Sequence, residues 1–135
     1  MRTALTQWTA AALAAATISA PALAHHSRAM FDQAHPVEIK GQVSKFEWGN
    51  PHCYLELDVA DAKGATQHYV LELNSPSMLN RVGWRSTTVQ PGDKVTATMA
   101  PFRDGTKGAG LLTKLVLPNG TTMDPGLVQH PVSAE

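Results

Sequence analysis

The segment "HCYLELDV" alternates without a break, with Cys53, Leu55, Leu57 and Val59 on one face and His52, Tyr54, Glu56 and Asp58 on the other. A strict two-residue period with one apolar side is the signature of a strand covered on one face only. It therefore calls for an antiparallel sheet with a core on one side, and more strands to complete it.

Those strands are present. "VEIKGQVSKFEW" (Val37 to Trp48) alternates through Val37, Ile39 and Val43, then changes phase at Phe46 and Trp48. This predicts a strand with a bulge or bend, with Gly41 allowing curvature. "QHYVLEL" (Gln67 to Leu73) follows a hairpin loop at Gly64, and puts Tyr69, Leu71 and Leu73 on one face. The period then changes. "SPSMLNRVG" has Ser75 as N-cap, Pro76 at the first helical position and Gly83 as the stop, with Met78, Leu79 and Val82 read as one apolar face of about two turns. Strand period returns in "PGDKVTATMAPF" (Pro91 to Phe102) and in "LLTKLVL" (Leu111 to Leu117), followed by a tight turn and a short edge at "PNGTTM". Three strands, one short helix and two strands is the order of the oligonucleotide/oligosaccharide-binding (OB) barrel. The expected fold is mainly β: a five-stranded OB-like barrel with its helix between strands three and four.

The N-terminus reads as a leader. Arg2, an uncharged alanine-rich stretch and "ALA" at Ala22 to Ala24 form the tripartite pattern of a secretory signal peptide. The stretch carries Thr, Gln and Ser and meets Pro21, whereas a stable span needs about 20 strongly apolar residues. Residues 1–24 are thus expected to be removed, 25–123 to form the barrel and 124–135 to be a loosely ordered tail. The mature chain would be periplasmic or secreted, with no membrane span. The whole chain has 11 basic and 11 acidic residues. No basic stripe recommends nucleic acid as a partner. Cys53 is the only cysteine, so no internal disulfide can form.

Taken together, "HHSRAMFD", "GQVSKFEWGNPH", "NSPSMLNRVGWR", "VQPGDKVT" and "PFRDG" resemble a family of small exported bacterial proteins classed only as a domain of unknown function. The resemblance runs from about His25 to Leu117. The family pattern has an aliphatic residue after Asn-Pro-His, where this chain has Cys53. What the resemblance implies is an exported OB-like barrel with no assigned reaction.

Cleavage after Ala24 would give His25 a free α-amino group beside its imidazole. With a third nitrogen from another histidine, this makes the T-shaped set called a histidine brace, suited to Cu(II). His52 is the first candidate for the remote ligand, and His26 offers a second local mode. His35 and His68 are weaker. A solvated terminal His-His pair is the plain alternative. Trp48, Tyr54, His68, Trp84 and Arg103 are candidates for a ligand face, in which the two tryptophans equally suit barrel plugs. The loop "RDGTKGAG" is read as a solvated hairpin with an Arg103–Asp104 contact. Catalysis has little support, since Ser75 caps a helix and His52 and Cys53 point to opposite faces; a redox enzyme built on a histidine brace is the third reading. The expected function is an exported, non-enzymatic binding or accessory role with copper as candidate cofactor. The alternative is a metal-independent module that docks a protein or glycan on the barrel face.

Overall fold

The structure, a computed structural model, describes residues 28–126. The expected leader (residues 1–24), His25 and His26 lie outside the described residues, as do the residues after Gly126. A single 3-10 turn at Arg28–Met30 precedes six strands and one helix. These are β1 (Val37–Glu47), β2 (Tyr54–Ala60), β3 (Thr66–Glu72), α1 (Pro76–Arg81), β4 (Lys94–Pro101), β5 (Ala109–Val116) and β6 (Thr122–Met123). The strand order is β3-β2-β1-β4-β5-β6, and a parallel pairing of β3 with β5 closes the sheet into a barrel. β1 serves two partners, β2 and β4, which is the OB arrangement.

The alternation seen in the sequence is the alternation of burial. Cys53, Leu55 and Leu57 are buried along the β2 segment, with Leu71 and Leu73 from the β3 segment and Val95, Ala97 and Met99 from β4. Each fully buried Leu contributes about 1.5–3 kcal/mol relative to an exposed one. The phase change in β1 is a register shift between Val43 and Lys45. Val43 stays opposite Leu57 of β2 and on its other side bonds the turn before β4: its N–H donates to Asp93 O at 2.8 Å and its carbonyl accepts from Gly92 N at 2.8 Å. Gly41 has no room for a side chain, because a Cβ would lie 2.8 Å from the Asp58 carbonyl oxygen. β1 can therefore press against β2 at that point.

α1 begins as its sequence dictates. Ser75 is the N-cap, its hydroxyl accepting from Met78 N at 3.5 Å, and Pro76 opens the helix. Gly83, at φ +92°, turns the chain out of it. The expected apolar face of Met78, Leu79 and Val82 is corrected. Only Leu79 is buried, while Met78 and Val82 are 41% and 45% exposed. Six residues make fewer than two turns, so the helix presents one side chain rather than a stripe. Trp84, just beyond, supplies the rest of the plug: it is fully buried, and its indole N–H donates to Asp124 O at 2.8 Å. Phe46 packs 6.1 Å from it, and Trp48 lies edge-on to Phe46 at 5.7 Å. Among the described residues, no helix is long and apolar enough to cross a membrane.

The N-terminal arm docks on the end of β4. Phe31 forms a bridge with Phe102, their rings 4.6 Å apart, and Asp32 N donates to Pro101 O at 2.8 Å. The expected Arg103–Asp104 contact is corrected here. Arg103 instead clamps the arm, donating from Nε to Ala29 O at 3.0 Å and lying 3.8 Å from Asp32 Oδ1. Asp104 accepts from Thr106 N inside its own turn. The arm offers carbonyls and a carboxylate at the right height, and adjacent residues rarely face each other across a turn.

Candidate metal-ligating site

His52 leads into β2 from the turn "GNP", whose Asn50–Pro51 peptide is cis. The backbone here is already paired: Cys53 N donates to Asn74 O and Leu73 N donates to Cys53 O. This pairing sets His52 beside the end of β3. Its ring Nδ1 lies 3.1 Å from Leu73 O, with Glu72 Oε1 at 3.5 Å. A carbonyl oxygen can only accept, so Nδ1 carries the proton and donates. In the neutral ring the lone pair is then on Nε2, which leaves that nitrogen as the one able to bind a metal.

Asn74, one residue after Leu73, collects both ends of the described chain. Its Oδ1 accepts from the Arg28 guanidinium at 2.9 Å, and its Nδ2 donates to Pro125 O at 2.8 Å. Pro125 is buried, so the first residues of the expected tail, Asp124 to Gly126, are held against the barrel end. Arg28 is thus fastened to the residue next to the carbonyl that orients His52. His25 is three residues before Arg28, and three extended residues span at most about 10 Å. His25 and His26 themselves lie outside the described residues. Among the described residues, no three His, Cys, Asp or Glu side chains form a metal-binding group.

Cys53 is fully buried on the inner face, and burial pushes its thiol pKa up. It is inert packing beside His52, with the two side chains on opposite faces of the barrel wall.

The remaining candidates are spread out. Trp84 is fully buried and offers no face to a ligand, and Trp48 packs partly on the core. Arg103 holds the arm at the other side of β4. Tyr54 and His68 do share the outer face of β2 and β3. Burial, then the charge of Glu72, raises the Tyr54 pKa. His68 is built into a charge network: Nδ1 meets Asp58 Oδ1 at 2.8 Å and Nε2 meets Glu56 Oε2 at 3.2 Å, while Glu56 lies 3.5 Å from Lys45 Nζ. Both ring nitrogens face carboxylates, so the imidazolium is favoured. The hydrogen bond to Asp58 is the largest cause of the raised His68 pKa, with Glu56 adding to it. His35 pairs with Asp32 at 2.9 Å on the surface of the arm.

Sequence reasoning missed Asn74 and Arg28. Asn74 precedes the helix cap in "NSP" and reads there as turn chemistry. Its role depends on Arg28 and Pro125, which are 46 and 51 residues away.

Strand order and helix position define a small OB-like barrel in which Arg28 and Pro125, near the two ends of the described residues, meet at one rim. The profile of the family of unknown function DUF6152 matches residues 12–112, and the chain belongs to that family. No curated protein and no solved structure matches it.

Proposed function

We propose that this chain is an exported, non-enzymatic binding protein that holds copper at its processed N-terminus, with His25 supplying its amine and ring and His52 Nε2 the remote nitrogen. One observation carries the reading: Leu73 O fixes the His52 proton on Nδ1 at 3.1 Å, while Arg28 is fastened one residue away at Asn74. Metal-bound histidines usually donate their second ring nitrogen to a carbonyl or carboxylate, which sets the ring and the tautomer. Three nitrogen donors in a plane suit Cu(II), the most tightly bound of the divalent first-row ions. The amine is a ligand only after cleavage at Ala24, so copper binding is tied to export.

The test is a Cu(II) titration of protein beginning at His25 beside protein with one extra N-terminal alanine. The extension moves the amine away from His25, and affinity must fall by at least about tenfold. His52→Ala must also weaken binding. Equal affinity in the parent and the extended protein overturns the brace. No binding in either leaves the metal-independent interaction module as the better reading.

A further inference from the structure

We infer that a groove on the barrel wall, lined from β1, β2 and β4 with the start of β3 and the end of β5 at its margins, binds a small multiply charged anion carrying carboxylate or phosphate groups. The groove has a volume of about 540 Å³, within the range of small-ligand sites. Gly41 lies in its floor, where a Cβ would meet the Asp58 carbonyl oxygen at 2.8 Å, so the backbones of β1 and β2 approach closely there. The cross-strand pairs Lys40–Thr96 and Gln42–Lys94 put both lysines on this outward face, on diagonal positions of neighbouring strands. Diagonal neighbours are separated by about 7–8 Å, close enough for one ligand to touch both.

Neither ammonium group has an ion pair or side-chain hydrogen bond within the described residues. Asp58, the carboxylate that lines the groove, is turned to His68 at 2.8 Å and does not neutralise them. Glu38 is one row further along β1 and does not line the hollow. The two lysines repel each other, and an anion seated between them relieves this. Hydroxyls of Thr66 and Thr96 line the same hollow and can donate to its oxygens. The ligand must be short. Lys45, further along β1, is already paired with Glu47 at 2.8 Å and Glu56 at 3.5 Å, so it does not extend the site. The groove is at the far end of β2 from His52, about 20 Å away by strand rise over six residues, so it is independent of the copper reading.

The experiment is calorimetric titration of the full chain with citrate and, separately, with pyrophosphate, using glucose as the neutral control. At least one anion should bind saturably with a Kd below about 1 mM, and glucose should not bind. The anion that binds identifies the head group as carboxylate or phosphate. Lys40→Gln and Lys94→Gln should each weaken binding by about tenfold, while Lys114→Gln, an exposed lysine on β5 outside the groove, should change it by less than about twofold. All three side chains are exposed, and unchanged circular dichroism confirms the fold of each variant. Binding of neither anion overturns the proposal. So does an equal loss in the Lys114 variant, which means attraction to bulk charge rather than a site.

Discussion

Arg28 donates to Asn74 Oδ1 at 2.9 Å, which ties the N-terminal arm to the rim where β3 passes into α1. The same amide donates to Pro125 O, so one side chain fastens both ends of the described chain. These two bonds differ in setting. The Arg28 contact is exposed and contributes little to stability; the Pro125 bond is partly buried. Arg28→Ala should therefore leave the unfolding free energy within about 0.5 kcal/mol of the parent. Asn74→Ala should lower it by about 1–2 kcal/mol, since it also orphans a buried carbonyl. Denaturant unfolding measures both. Hydrogen exchange should rise in the arm for either variant, and in residues 124–126 for the Asn74 variant alone. Equal stability losses would show that the arm contact, not the tail contact, is the structural one.

Trp84 closes the barrel end with its ring and its indole N–H together. Trp84→Ala should cost about 3–5 kcal/mol, the usual range for emptying a large core site. Trp84→Phe retains an aromatic ring but leaves the Asp124 carbonyl unpaired, so a smaller loss of about 1–3 kcal/mol is expected. A phenylalanine variant as stable as the parent would mean that the indole bond to Asp124 contributes nothing.

The barrel was legible in the sequence because its walls are one-sided. Polar and apolar residues alternate from His52 to Val59, and burial follows that alternation through Cys53, Leu55 and Leu57. The β1 bulge was visible as a change of phase, and α1 as Ser75-Pro76 with Gly83 at its end. The expected helix face does not form because α1 is too short to bury a stripe: Met78 is exposed on it and Val82 is its exposed C-cap. The Arg103 clamp was invisible for another reason. Its partners Ala29 and Asp32 are more than 70 residues away, and nothing local distinguishes a clamping arginine from a solvated one. At the candidate site, His52 could be singled out by type and position. The carbonyl that sets its tautomer could not, because Leu73 reaches it only through the β2–β3 pairing.

His68 gives a pH dependence of known sign. Its pKa is raised in the folded chain, first by the hydrogen bond to Asp58. A raised histidine pKa stabilises the fold fully below the unfolded value near 6.5, and this contribution is lost as pH rises through the folded value. The ring is nearly half exposed, so solvent screens the effect and the slope should be shallow. NMR titration should place His68 above the ordinary histidine value. Asp58→Asn should lower it more than Glu56→Gln does, and the reverse order would contradict the geometry.

The arm is held by packing more than by charge. Phe31 is only 2% exposed and stacks on Phe102, whereas Arg103 is 58% exposed. Phe31→Ala should cost about 3 kcal/mol or more, and Arg103→Ala less than about 1 kcal/mol. Limited trypsin digestion should cut after Arg28 faster in the Phe31 variant than in the parent. Similar stability losses in the two variants would move the weight of docking to the guanidinium.

The central claim is that His52 completes a copper site begun by the processed N-terminus. Its most direct test is pulsed EPR of Cu(II)-loaded protein starting at His25, which detects the remote nitrogen of each coordinated imidazole. The account predicts that His52→Ala removes the signal of one imidazole and leaves that of the N-terminal histidine. A spectrum unchanged by His52→Ala would contradict it, because the ring that Leu73 orients would then have no part in holding the metal.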